Sequence, residues 1–435
     1  MSDPSLLNVP YRFKPGTLYS QIPDSGLGDF TVTRSASNVA TRVNAQGFIE
    51  TVADNVPRLD YPLGGIANGC PALLVEPSAQ NVIVQSQNWL ASGWRSDVSG
   101  NVTTVTGTTG TLDPLGTNTA NAISPTSGNT SHIKVGSDGS ASFTSGTIYT
   151  ASAFFKQGTG NAGRYVQIAW PPARFAANTF ANFDLQLGTV ALVTGSTVTA
   201  GIENYGNGWY RCRCTNTCIS TGTGANGISI ALIETSGATR LPTFIGTTTD
   251  VLYGWGAQTE TGSVATSYIP TTTAAVTRGA DVISKTGVGS LIGQTEGTLY
   301  AEVDVQKLLG SVTRSIFAIN DGTTSNRVQF IFTSTVSNTI RMTLQNSQTT
   351  NLSTTISTTG IYKLAVGYTQ GGTASFFLNG NQVGTDSAIG SFSNTLSEVQ
   401  LGSSVAGSAQ FNDRIRAIAL YTTRLSNTEL QALTT

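Results

Sequence analysis

Short runs of alternating apolar and polar residues, cut roughly every ten to fifteen residues by Gly, Asn or Asp, fill the middle and end of this chain and limit what it can fold into. In TIYTASAFFK, Ile148, Thr150, Ser152 and Phe154 share one face, and Tyr149, Ala151, Ala153 and Phe155 share the other. RYVQIAW, TFANFDLQLGTV, GWYRCRCTNTCI, GISIALIET and DVLYGWGAQTE continue the pattern. Later come GTLYAEVDVQ, NRVQFIFTS, TIRMTLQN, IYKLAVGYTQ and RIRAIALYTTRL. Many short strands at this spacing predict an all-β chain of β-sandwich or jelly-roll modules.

Composition agrees. Only 11% of residues are charged, and Thr, Ser, Asn and 48 Gly take their place. Thr and Gly are poor helix formers, which disfavours a helical protein. Recurrent apolar and aromatic residues exclude a disordered one. The net charge is −1, with the charges scattered singly, so no basic stripe exists to hold nucleic acid through its phosphates. No run approaches the ~20 apolar residues of a membrane span, so no membrane insertion is expected. The opening MSDPSLLNVPYRFKPG lacks a basic start and apolar run, which points to folding in a cytoplasm or release by lysis.

A length of 435 residues calls for more than one core. Residues 1–90 read as an irregular, Pro-rich N-terminal segment suited to attachment and oligomerisation. Residues 91–283 read as one jelly roll and 284–435 as a second. Asn379-Gly380 in SFFLNGNQVG predicts a tight hairpin. The C-terminal SNTELQAL predicts a short helix, with Ser426 and Glu429 at capping-box spacing.

Few residues carry chemistry. Cys212, Cys214 and Cys218 fit no common zinc spacing and read as buried strand cysteines. The single histidine, His132, sits in a Ser/Gly-rich stretch without a nucleophile elbow and reads as an exposed strand or loop residue. Trp209 and Trp255 lie in alternating strands and read as core, while Trp89 and Trp94 seal a unit boundary. Trp170 differs, because it ends a strand just before Pro171-Pro172. With Tyr165 and Arg174 it forms the candidate ligand-binding set.

Family resemblance adds to this reading. The last unit resembles concanavalin A-like and laminin-G-like jelly rolls, most specifically in its ending, where Tyr421, Arg424, Leu425, Ser426, Glu429 and Leu430 match the closing strand and helix. The middle unit is similar to carbohydrate-binding-module-like jelly rolls of phage structural proteins, through GNGWYRCRC and YGWGAQTETGSVATSYIPTTTAAVTRGADV. The opening GDFTVTRSASNVATRVNAQGFIETVADNVPRLDY resembles the leader of phage head-spike and tail-fibre proteins.

The resemblance implies a non-enzymatic virion-surface protein: a head or tail fibre or spike, homotrimeric, bound to capsid or tail proteins through its N-terminal segment. It also implies weak, multivalent adhesion to host-surface polysaccharide. The rival readings are an inert capsid decoration and a glycan-degrading enzyme. Glycosidases of the concanavalin-like fold use Glu-x-Asp-x-Glu on one strand, and Glu302 and Asp304 match the first two positions. Gln306 stands in the third and cannot cycle a proton. No cofactor is expected, except that calcium occurs in some lectin-like relatives, for which Asp321 and Asp413 are the candidate ligands.

Overall fold

The computed structural model describes residues 2–35, 39–61, 69–96, 101–107, 110–137 and 139–435. Antiparallel strands dominate, and the helices are short: Asn161–Arg164 and the C-terminal Asn427–Thr434. Among the described residues no helix is long and apolar enough to cross a membrane.

The strands form one sandwich interrupted by another. The interrupted sandwich has an eight-stranded and a nine-stranded sheet. At its centre Glu296–Val305 lies between Gly360–Thr369 and Asp413–Tyr421. Alternation along Glu296–Val305 turns Leu299, Ala301, Val303 and Val305 into the core, with Tyr300 on the opposite face. That opposite face takes the C-terminal helix, through Leu430 packed with Tyr300, Phe377 and Tyr421.

Strands from the first 80 residues complete these sheets. Leu6–Asn8 pairs with Asp413–Tyr421 in the register Leu6↔Leu420. Ala72–Val75 pairs with the start of the same strand, Val75 opposite Asp413. Phe30–Thr33 pairs with Val282–Thr286, Val32 opposite Ile283. Leu6, Phe30, Val32, Leu73 and Val75 therefore share a core with residues some 200 to 400 positions away. Residues 1–90 are not a separate irregular segment in this fold. Their short apolar runs find partners in the C-terminal half, which no local pattern in the sequence signals.

The second sandwich is inserted between residues 81 and 276. Two six-stranded sheets enclose a core drawn entirely from Ile83 to Ala257. Ala79–Asn81 and Val276–Arg278 pair with each other where the chain enters and leaves, Asn81 opposite Val276. The face assignment along Ile148–Gln157 holds: Tyr149, Ala151, Ala153 and Phe155 line the internal core. Phe154 points outward, where it joins Trp209, Trp255 and Tyr268 and meets Ile49 of the hairpin Ala40–Val43/Ile49–Val52. That hairpin thus covers the outside of the inserted sandwich.

The local expectations also hold at the C-terminus. Asn379 and Gly380 adopt φ of 45° and 75°, the positive pair that a two-residue hairpin turn demands. Ser426 and Glu429 form the reciprocal capping box.

Candidate functional site

The predicted ligand residues do not come together. Trp170 has no exposed surface. Beyond Ala169 the chain turns so that Phe175 N donates to Pro171 O at 3.0 Å, which lays Phe175 over the indole at 4.3 Å. Phe143 packs edge-on against both rings, 6.4 Å from Trp170 and 5.1 Å from Phe175. Trp170 is therefore core, because the turn that looked like an exposed edge folds back over it. Tyr165 sits at the opposite end of the same strand, about 17 Å away at strand rise, under the guanidinium of Arg164. Arg174 donates to the carbonyls of Ala173 and Thr223. Nothing here forms a sugar platform.

The candidate calcium ligands do not come together either. Asp321 Oδ1 accepts from Thr323 N and Oγ1, and Oδ2 accepts from the amides of Asn326 and Asn394. These donors hold its carboxyl down, at about 2, despite some desolvation. It is a turn acceptor. Asp413 Oδ2 accepts from the backbone N–H of Gln306 and Lys307, and burial pushes its carboxyl up to about 6. The two lie on separate elements, and no group of three or more His, Cys, Asp or Glu is placed for a metal among the described residues.

Glu302 accepts from Arg416 Nε at 2.7 Å and from the Tyr300 hydroxyl at 3.2 Å. Asp304 accepts from Gln306 Nε2 at 2.5 Å. His132 is fully buried instead of exposed, with Nδ1 2.6 Å from Asn101 O and Nε2 3.2 Å from Phe244 O. Both ring nitrogens are used by the backbone, because the strand pairing of Asn129–Ser131 with Thr243–Ile245 brings Phe244 across it. Trp209 and Trp255 are core, and Cys212, Cys214 and Cys218 are buried and unpaired. Burial raises the Cys214 thiol to about 12, so it is unreactive.

A polar cleft of about 80 Å³ lies where the two sandwiches and the N-terminal hairpin meet. Beneath it is a buried ion cluster. Arg58 donates to Glu76 Oε2 at 2.8 Å, to Ser267 Oγ at 2.7 Å and to Asp281. Asp281 Oδ1 also accepts from Arg34 Nη1 at 2.9 Å, and Oδ2 from Glu76 N at 2.9 Å. Arg278 stands 3.4 Å from Glu76, and Lys307 3.6 Å from it. Burial alone would raise the Glu76 carboxyl, but Arg278, Arg58 and Lys307 hold it well below the usual carboxylate range. Arg58, Arg278 and Arg34 do the same for Asp281.

Around the cleft Arg414 pairs with Asp60 at 2.6 Å and Arg42 with Glu50 at 2.6 Å. The inserted sandwich is tied in by Ser267 N on Glu76 Oε1 and by Thr41 Oγ1 on Tyr268 O. The arrangement pairs charges off against one another, and the Ser267 hydroxyl donates to Glu76 Oε2 at 2.7 Å. Its members, at 34, 58, 76, 267, 278 and 281, are too dispersed to be read as a cluster. The available signal was the RGAD run at Arg278–Asp281, in a chain where charge is scarce.

No family model matches the sequence, and no curated protein matches it. Among solved structures the chain is similar to the CBM40 of a Ruminococcus gnavus IT-sialidase bound to α2,3-sialyllactose, at 19% identity and TM-score 0.29, over 33% of this chain and 84% of that one. It is also similar to a leech intramolecular trans-sialidase, at 19% identity and TM-score 0.28, over 33% and 23%. The binding domain of botulinum neurotoxin DC in complex with rat synaptotagmin II gives 10% identity and TM-score 0.29, over 36% and 40%. These likenesses cover part of the chain, and the functional reading rests on its own residues.

Proposed function

We propose that this chain is a non-catalytic surface protein of a bacteriophage particle, a head or tail fibre or spike, that adheres weakly and in many copies to host glycans. The observation that carries the non-catalytic part is the state of the carboxylates. Glu302 is held by Arg416 and Tyr300, Asp304 by Gln306, and Glu76 and Asp281 by buried cations. Glycoside hydrolysis needs an acid/base and a nucleophile carboxyl flanking one bond, and the third position of the strand pattern is Gln306, whose amide donates to Asp304 and cannot cycle a proton. The phage setting, the trimer and the attachment role rest on the resemblance of the leader and module order. Multivalency supplies the adhesion, since many weak sites on one particle gain avidity without strong single contacts.

The test uses the full-length chain. A trimeric mass in solution and no release of reducing sugar from host polysaccharide are expected. Reducing-sugar release that disappears in Glu302→Gln would overturn the non-catalytic reading, and a monomer would overturn the trimeric one.

A further inference from the structure

At one end of the interrupted sandwich the two sheets part company. The edge strand Thr349–Thr355 of one sheet runs beside the edge strand Asn381–Asp386 of the other. Near one end the seam is shut. Thr350 Oγ1 donates to Asp386 Oδ2 at 2.7 Å, and Leu352 packs so close to Gly384 that a Cβ there would lie 3.1 Å from it. Beyond this point the strands splay, and a groove of about 490 Å³ opens between residues 353–358 and 378–383.

The chemistry of this groove differs from that of the junction cleft. None of its lining residues carries a charge. Ile356, Tyr362, Leu378 and Val383 contribute carbon surface. The walls are hydroxyls on one side and the amide of Asn381 on the other, while Gln382 beside it turns its amide to Thr385 on the helix-bearing face of its sheet. Asn381 Nδ2 uses one bond on Asn379 O, and Gln382 Nε2 uses one on Thr385 Oγ1. Their side-chain carbonyls, and the hydroxyls of Ser353, Thr354 and Ser357, have no protein partner among the described residues.

We infer that this groove is a binding site for an extended neutral polysaccharide. The inference rests on the adhesion reading above and gives it a location and a ligand class. A sugar ring offers a carbon face to the apolar surface and hydroxyls to both walls, where each can donate and accept. With no cation in the lining, a phosphate- or carboxylate-bearing glycan would lose its water without gaining a counter-charge. With no carboxylate, an amino sugar would fare no better. At about 490 Å³ the groove is larger than one sugar ring, which suits several linked units better than a single sugar.

The experiment is affinity electrophoresis of the full-length chain through gels holding dextran, a neutral mannan or alginate. It compares wild type with Asn381→Ala/Gln382→Ala and with Thr354→Trp, which fills the groove from its exposed wall. Both variants should keep the wild-type melting curve, because the altered side chains are not buried. Retardation by a neutral polymer, weakened at least tenfold in both variants, is the expected result. Equal retardation of wild type and variants would overturn the groove while leaving adhesion standing. Retardation by alginate alone would overturn the ligand class. No retardation of wild type in any gel would overturn the adhesion reading itself.

Discussion

Replacing Asp281 by Asn keeps its shape and removes its charge from the centre of the junction. The side chain is 2% exposed, and the guanidiniums of Arg34, Arg58 and Arg278 around it are 1%, 0% and 0% exposed. With the charge gone, three buried cations share Glu76 as their remaining deeply buried counter-ion. Removing one partner of a buried pair costs about 3–5 kcal/mol. At a urea slope of about 3 kcal/mol/M, the midpoint should fall by roughly 1–1.7 M.

Two probes separate the modules. All five Trp lie between 89 and 255, so their fluorescence reports only the inserted sandwich, whereas far-ultraviolet dichroism reports the whole chain. Both should shift if the cluster couples the modules. The effect should also depend on pH. Asp281 and Glu76 are held below their ordinary values, so their contribution is complete above the unfolded carboxylate range and is lost as pH falls through their folded values. The difference between wild type and variant should be full at neutral pH and narrow below about pH 4. A midpoint shift under ~0.3 M at pH 7, equivalent to about 1 kcal/mol at that slope, would refute this account.

Trp170→Ala should cost about 3–5 kcal/mol, as expected for an aromatic core truncation, read as a urea shift in fluorescence. A soluble, equally stable variant would return Trp170 to the surface. Asp413 carries a carboxyl raised to about 6, so its ionisation opposes folding: stability present below the unfolded value is lost as pH rises through about 6. Asp413→Asn can still accept from Gln306 N and Lys307 N, and it should flatten the stability profile between about pH 4 and 6. Denaturation at several pH values would show it. Ser426→Ala should cost about 1 kcal/mol and increase amide exchange in Asn427–Thr434, with little effect on the inserted sandwich.

What could be read from the sequence was what local physics decides. Alternation placed Phe155 inward and Phe154 on the other face. Asn379-Gly380 and the Ser426/Glu429 pair signalled their own backbone geometry. The misreadings share one cause, partners distant in sequence. Trp170 looked like an edge because Pro171 ends its strand, but Phe175 folds back over it and Phe143, 27 positions upstream, packs against both rings. His132 looked exposed in a Ser/Gly-rich stretch, until Phe244 crossed it. Leu6 and Phe30 sat in what read as an irregular leader, and the strands that complete them follow residue 280. The neutral groove was equally invisible, since Thr354 and Asn381 are ordinary polar residues until two sheet edges bring their strands together around it.

The neck at Asn81 and Val276 has a consequence for how such a chain can diversify. Two backbones leave the host sandwich side by side, about 5 Å apart, so the intervening 194 residues behave as a cassette whose ends are already joined. A foreign module could be spliced in without stretching the host sheets. It would need to bring a hydroxyl like that of Ser267 and a backbone placed like that of 267–268, because Arg58, Glu76 and Thr41 wait on the host side for those groups. Exchange of the outer module is thus mechanically simple at the neck and chemically selective at the junction, which would let one host sandwich carry different modules only if each arrived with the matching key.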